Sequence, residues 1–229
     1  MIKAPLGYSM DIPIYSERDK YTKNYLEISN YHIAHMRSGV ENPFMSNALW
    51  DTLDKSSIEL IDKHFIGGMR ILDAGVCLGR ILEKYSTAKR YGMDISLNYL
   101  EICKQKGIDV IYSKIEDMPY DNSFFDIVIA TDVLEHVFDL YKCCEQIVRV
   151  LKLNGILVVR TPYKENLSPY LNKKCPFDFV HVRSFDENSL RLLFEKIFNL
   201  EYIETKFVFF KEVNNNTTEI NMIFKKIDS

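Results

Sequence analysis

Glycine is scarce in this chain, at nine residues in 229, proline occurs seven times and tryptophan once. That composition excludes collagen-like and flexible low-complexity architectures. No apolar run approaches the roughly 20 residues needed to cross a bilayer, because stretches such as IVIA and ILVV are only strand-sized. The opening MIKAPLGYSMDIPIY has prolines and polar residues where a signal peptide carries an unbroken apolar stretch, so secretion is not expected. Cationic excess is missing too: 29 Lys and Arg stand against 32 Asp and Glu, a formal net charge of -3. No broad basic face is expected for a nucleic-acid backbone or an anionic membrane. The expectation is a cytoplasmic monomer or homodimer whose partner is a small molecule. The five cysteines, Cys77, Cys103, Cys143, Cys144 and Cys175, are odd in number and follow no disulfide spacing, which suits a reducing compartment.

Hydropathy patterning supplies the fold. Between residues 70 and 162, β-rich runs alternate with amphipathic stretches, the pattern of βαβ units around a parallel sheet. Strands are predicted at Arg70 to Ala74, Arg90 to Asp94, Asp109 to Tyr112, Asp126 to Thr131 and Gly155 to Thr161. Ser96 and Gly107 mark the ends of one helix. A second helix starts near Asp139, carries Leu140, Cys143, Ile147, Val148 and Leu151 on one face, and is predicted to stop at Asn154 and Gly155. A third covers Glu187 to Phe198, with either Ser184 or Asp186 as its cap. Two last strands, near Glu201 to Glu212 and Thr217 to Ile227, flank Asn214, Asn215 and Asn216, which suit a hairpin turn. The first 66 residues lack the alternation and predict two helices, around Glu17 to Ser29 and Met45 to Phe65. Five tyrosines fall in this part, Tyr8, Tyr15, Tyr21, Tyr25 and Tyr31; packing explains them better than stacking on a substrate. The expected fold is α/β, doubly wound, with a mostly parallel seven-stranded sheet, a C-terminal antiparallel hairpin and an N-terminal helical cap. Residues 1–66 form the cap, and 67–229 form the α/β domain, packed as one unit.

The chemistry gathers where strands end. In RILDAGVCLGRILEKYS a strand ends at Asp73, turns through glycines and enters a helix, an arrangement that lets backbone N-H groups face a ligand. Asp94, in YGMDIS, closes the next strand 94 - 73 = 21 residues later. An acid at about that distance binds ribose hydroxyls in open α/β folds, and capping the helix after Ser96 is compatible with that role.

With these motifs in order, the sequence resembles the class I S-adenosylmethionine-dependent methyltransferases, within the small-molecule group that includes the ubiquinone and menaquinone methyltransferases. The resemblance runs from about Ile71 to Tyr163, through ILDAG, GMDIS, IEDMPYDNSFFDIVIATDVLEHV and IVRVLKLNGILVVRTP, with a weaker echo from His181 to Asn199. It implies S-adenosylmethionine as cofactor. Asp73, Gly75, Cys77 and Gly79 would shape the methionine end, Asp94 would hold the ribose, and Ile95, Ile115, Glu116 and Asp117 would border the adenine. Thr131 and Asp132 would lie beneath the methionine. Two positions depart from the pattern. Cys77 stands where the family commonly has the middle glycine, which matters if its side chain faces the cofactor or its φ is positive. Lys114 stands where the family often has an acid or a small polar residue, so Glu116 or Asp117 would take over the adenine amine.

Methyl transfer to a small polar acceptor, on oxygen or nitrogen, is the implied reaction, with a sugar or nucleotide-linked metabolite as the acceptor class. His136 in LEHV and His181 in HVRSF are the candidate bases, each balanced against a role as a structural histidine beside a helix start. No metal site is expected, because Cys175, His181 and His136 lack clustered carboxylates or paired thiols. A nicotinamide dehydrogenase would need glycine at 75, 77 and 80, where the chain has Gly75, Cys77 and Arg80. The alternative left standing is a non-catalytic cofactor-binding or partner subunit with the same fold.

Overall fold

A computed structural model describes residues 3–38, 47–171, 181–209 and 218–228. The chain opens with β1 (Gly7–Ser9) and β2 (Ile12–Ile14), then α1 (Lys20–Ser38) and α2 (Asn47–Ile61). Alternation follows: β3 (Arg70–Ala74), α3 (Arg80–Glu83), β4 (Lys89–Asp94), α4 (Leu97–Gln105), β5 (Asp109–Tyr112), β6 (Phe125–Thr131), α5 (Leu140–Val150) and β7 (Leu151–Pro162). It closes with α6 (Glu187–Arg191), β8 (Leu200–Phe209) and β9 (Thr218–Lys226).

Among the described residues the sheet has nine strands, ordered β1-β2-β5-β4-β3-β6-β7-β9-β8. From β2 to β7 every pairing is parallel, and β9 pairs antiparallel with both β7 and β8. The chain moves outward from β3 through β4 to β5 and returns to β6 on the other side of β3. That reversal opens a crevice at the carboxyl ends of β3, β4 and β6, the place where open α/β sheets bind ligands.

Both sheet faces are covered, which is why the central strands read as continuous apolar runs. One face packs Leu72, Val128, Leu157 and Phe224 against Cys143, Cys144 and Ile147 of α5 and against Phe194. The opposite face packs Ile71, Ile127, Val158 and Ile223 against Leu60 and Ile61 of α2 and Leu97 and Leu100 of α4. Ser96 caps α4 by accepting the Tyr99 N-H at 3.4 Å, and Asp139 caps α5 by accepting the Lys142 N-H at 2.9 Å. Asp186, not Ser184, caps α6, in a capping box with Ser189. Beyond Arg191 the helix widens into a π-helical turn over Leu192–Ile197.

The expected seven-strand count is corrected to nine. The added pair, β1 and β2, is three residues per strand and contains Pro13, so neither length nor composition announces it. It docks beside β5 through Ile14 against Tyr112 and a Tyr15 N-H bond to the Tyr112 carbonyl at 2.9 Å. The N-terminal part is therefore strand as well as helix. Asn154 and Gly155 do not end α5, which stops at Val150. Asn154 takes a φ of 63° inside β7, where the pairing with β6 slips between Phe125 and Ile127, so this dipeptide makes a bulge. Asn214, Asn215, Asn216 and Cys175 lie outside the described residues.

Candidate active site

A cleft with a cavity volume of about 140 Å³, open to solvent, occupies the crevice. Of the predicted residues, Gly75, Asp94, Ile95, Ile115, Glu116, Asp132 and His136 line it; Asp73, Cys77, Gly79, Asp117, Thr131 and His181 sit behind or beside that lining.

The loop after β3 turns through three left-handed residues, Gly75 (φ 101°), Cys77 (φ 46°) and Gly79 (φ 69°). A Cβ on Gly75 would lie 2.4 Å from Val133 Cγ2, so glycine is required there by space as well as by φ. Cys77 meets the costly condition anticipated for it: an L-residue held in left-handed backbone, at about 1–2 kcal/mol. The expectation that this loop turns its N-H groups to a ligand is not met. Gly75 and Val76 donate to the Met93 carbonyl at 2.9 and 3.0 Å, Gly79 donates to the Val76 carbonyl at 2.7 Å, and Cys77 donates to Asp94 Oδ2 at 3.0 Å. The loop supplies room and shape, and its amides hold the loop to β4.

Asp94 accepts twice from backbone, from Cys77 through Oδ2 and from Ser96 through Oδ1 at 2.8 Å. Burial raises its pKa to about 6, opposed by these N-H groups and that of Ile95. A carboxylate offers about four acceptor sites, so two remain for a ligand's hydroxyls. Asp73 lies deeper, and its Oδ1 is buried without a hydrogen-bond partner among the described residues. Burial, then the charge of Asp54, hold its pKa well above the usual carboxylate range, with Arg160 opposing. An orphaned acid below the loop, a diol-competent acid at the rim and an apolar wall of Met93, Ile95 and Ile115 fit an adenosyl sulfonium.

The N-terminal segment closes this end. Ser16 donates to Asp117 Oδ2 at 2.8 Å and accepts the Lys114 N-H at 2.9 Å, so Asp117 faces the cap and not the cleft. The Lys114 ammonium is committed to Asp19. Tyr21 and Tyr25 of α1 line the cleft, and Tyr21 meets the Phe138 ring edge-on at 5.3 Å. Packing alone accounts for Tyr15, which is buried, whereas Tyr21 and Tyr25 belong to the site.

Beneath the cleft, Arg160 of β7 is 1% exposed and organises the acids. Its Nη2 reaches Asp132 Oδ2 at 2.6 Å, its Nη1 donates to Ser57 Oγ at 3.1 Å and lies 3.7 Å from Asp54 Oδ1. Asp132 takes a φ of 55°, and its N-H bonds the Arg160 carbonyl at 2.9 Å, so both ends of the residue are tied to β7. Thr131 pairs with Arg160 in the parallel ladder.

On the far side of Asp132 the two predicted histidines meet: the His136 and His181 rings pack edge-on with centroids 4.6 Å apart. Val182 N-H bonds the Glu135 carbonyl at 3.0 Å, and Arg183 donates to the Leu134 carbonyl at 2.8 Å, which fixes His181 beside the segment after β6. His181 Nδ1 pairs with Glu165. Burial disfavours its charge, but Glu165 and then Glu135 outweigh that, and the His181 pKa is raised. Glu135, 1% exposed, accepts from Thr161 Oγ1 at 3.1 Å through Oε2, while Oε1 has no partner among the described residues. Burial first, then Asp132, push its pKa upward. The premise that excluded a metal, a want of carboxylates near the histidines, is thus corrected: the fold brings Glu135 to them, together with Glu165. Glu135 is adjacent to His136 in LEHV, and that adjacency was the available signal.

Residues 72–159 match the family model described as a methyltransferase domain. An Arabidopsis thaliana tRNA (carboxymethyluridine(34)-5-O)-methyltransferase is 30% identical over 154 residues, covering 63% of this chain and 38% of that protein. A ubiquinone biosynthesis O-methyltransferase of Bradyrhizobium diazoefficiens is 33% identical over 104 residues, covering 42% and 41%. The matches span about a third to a half of the relatives' own lengths. Among solved structures, the Burkholderia thailandensis 1,6-didemethyltoxoflavin-N1-methyltransferase, with bound S-adenosylhomocysteine, superposes with a TM-score of 0.65 at 13% identity, covering 99% of this chain and 100% of that one. That likeness is one of fold.

Proposed function

From the class I S-adenosylmethionine-dependent methyltransferase domain that this chain carries, we propose that the protein transfers a methyl group to a small polar acceptor, on oxygen or nitrogen, by in-line displacement. The observation that carries the proposal is the convergence of Gly75, Asp94, Ile95, Ile115, Glu116, Asp132 and His136 on one cleft at the reversal of strand order. The cofactor supplies an electrophilic methyl group on a sulfonium. The chain supplies position: Asp94 would accept from the ribose, Ile95 and Ile115 would hold the adenine with Glu116 at its polar edge, and Asp132 with the buried, proton-retaining Asp73 would line the methionine end. Asp117 and Lys114 act at one remove, by fixing the cap to this wall. Gly75, Cys77 and Gly79 shape the turn that admits the methionine. Alignment of this kind supplies roughly 7–11 kcal/mol of barrier reduction.

The acceptor enters between the helical cap, residues 1–66, and the stretch after β7, where Tyr21, Tyr25 and Phe138 give aromatic surface and the acids give polar contacts. A sugar or nucleotide-linked metabolite fits that mixture. His136 and His181 are the catalytic pair that promotes loss of the acceptor's proton, a service worth a factor of about 10²–10⁴ where the acceptor is a hydroxyl. Isothermal titration tests the assignment: S-adenosylmethionine and S-adenosylhomocysteine bind at micromolar levels and NAD does not. Absence of binding by both sulfur nucleosides would overturn it.

A further inference from the structure

We infer that Glu135, His136 and His181 form a binding site for one divalent transition-metal ion on the acceptor side of the cleft. One donor atom from each of the three lies within 4.8 Å of the others. An ion held at about 2.0–2.2 Å sets its ligands roughly 3.4 Å apart, so closure on an ion takes side-chain shifts of about an ångström.

Three features beyond proximity point to an ion. Glu135 Oε1 is buried and has no partner among the described residues, although Oε2 of the same carboxylate is bonded to Thr161. A buried carboxylate oxygen left this way is costly, and a cation beside it removes the cost. His181 is oriented through Nδ1 by Glu165, with the Tyr170 hydroxyl 2.8 Å from Glu165 Oε1 and 3.3 Å from His181 Nδ1. That leaves Nε2 as the coordinating nitrogen and reproduces the carboxylate–histidine–metal arrangement in which the outer acid fixes the ring. The three ligands are also pre-placed by backbone, since the Val182 N-H bond to the Glu135 carbonyl and the Arg183 contacts with the Leu134 and Phe138 carbonyls lock the two segments together.

Two imidazoles and one carboxylate select a first-row ion such as Zn²⁺, Co²⁺ or Mn²⁺ over Ca²⁺, which takes oxygen ligands only. Three protein ligands leave at least one position open. Because His136 also lines the cofactor cleft, that open position adjoins the place where the acceptor enters. Its role, though not its existence, rests on the methyl-transfer assignment. A coordinated acceptor hydroxyl becomes more acidic; it releases its proton to water, its oxygen forms the new bond to the methyl carbon, and the carbon–sulfur bond breaks to leave S-adenosylhomocysteine. No electron source is involved. The site therefore points to hydroxyl acceptors, with the histidines acting through the ion.

Titration of the chelator-treated full chain with Co²⁺ provides the test. The expected result is one equivalent bound, ligand-field absorption in the visible from imidazole and carboxylate coordination, and loss of that signal in excess chelator. His181→Ala and Glu135→Gln each lower Co²⁺ affinity at least tenfold, and Glu165→Gln lowers it about 10–100-fold as an orienting group. Binding of S-adenosylhomocysteine by the same variants verifies that they are folded. Absence of saturable Co²⁺ binding in a chain that binds S-adenosylhomocysteine overturns the metal site alone. Unchanged Co²⁺ affinity in both His181→Ala and Glu135→Gln overturns it as well. Co²⁺ binding without nucleoside binding supports the site and refutes the cofactor assignment.

Discussion

With Asp94 holding the ribose as proposed, its pKa makes cofactor affinity depend on pH in a calculable way. Burial lifts this carboxyl from the ordinary 3.8 to about 6, with the Cys77, Ser96 and Ile95 N-H groups opposing. The Tyr25 and Tyr99 hydroxyls and the Cys77 thiol face it, and burial then Coulomb repulsion keep all three in their neutral forms near neutral pH. In that assignment ribose hydroxyls would donate to the ionised acid, which is about nine-tenths populated at pH 7 and about one-tenth at pH 5. Affinity for S-adenosylhomocysteine is therefore expected to fall about tenfold between pH 7 and pH 5. The ligand's own α-carboxyl and α-amino groups titrate near ~3.5 and ~8, outside this window. Asp94→Asn removes the step, and its affinity at pH 7 drops at least tenfold, since hydrogen bonds to a charged group contribute about 1.5–3 kcal/mol. Isothermal titration at pH 5, 6 and 7 on both proteins measures this. Equal affinities across the range, or a tenfold step that persists in Asp94→Asn, would refute the ribose assignment. The linked effect on the ligand-free fold has the opposite sense. A folded pKa near 6 over an unfolded 3.8 means a contribution fully present below the unfolded value and lost as pH rises through 6, about 3 kcal/mol at 1.36 kcal/mol per pKa unit.

Arg160→Met is expected to destabilise the protein by about 1.5–3 kcal/mol in urea denaturation, because it strips the half-buried Asp132 of its cation, while Asp54 keeps its ion pair with Arg80; a loss well under about 1 kcal/mol would show that Asp132 is accommodated without its partner at no cost. Gly75→Ala combines a φ of 101° with a Cβ 2.4 Å from Val133 Cγ2, so both stability, by roughly 1–3 kcal/mol, and S-adenosylhomocysteine affinity are expected to fall. A variant with parental melting temperature and affinity would mean that the loop relaxes without consequence for the pocket.

Where the chain alternates short apolar runs with capped helices, the sequence reveals the fold nearly to the residue. Arg70–Ala74 and Asp109–Tyr112 are found with the predicted bounds, Ser96 caps the helix it was expected to cap, and Asp139 caps the one expected to start near it. Such signals are local: a strand buried on both faces must be apolar throughout, and a helix start needs an acceptor for its free N-H groups. The hairpin of β1 and β2 escaped because nothing local defines it. Two three-residue strands are held chiefly by a distant partner, Tyr112, and by the edge of a sheet that exists only after folding. Asn154 and Gly155 misled for a related reason. A residue pair that tolerates left-handed backbone ends a helix or bulges a strand equally well, and register with β6 decides which.

The site divides along the same line. Asp73, Asp94 and the glycine turn are legible because each sits where a strand ends, and strand ends can be read from periodicity. Arg160 shows what cannot be read so. It lies inside an apolar run, ILVVR, and its meaning depends on Asp54 from α2 and Asp132 from the end of β6, residues 106 and 28 positions away along the chain (160 - 54 and 160 - 132). A lone arginine in such a run is itself a signal, since a guanidinium is buried only with partners. The signal says that acids converge there without saying which. Tyr25 and Glu135 extend the point. An exposed-looking tyrosine on an amphipathic helix and a glutamate beside a histidine acquire chemistry only when α1 folds over the cleft and His181 returns to the loop after β6. The proposed cofactor half of the pocket is thus written along one stretch of sequence, whereas the proposed acceptor half is assembled from four separate ones, and only the fold selects its partners.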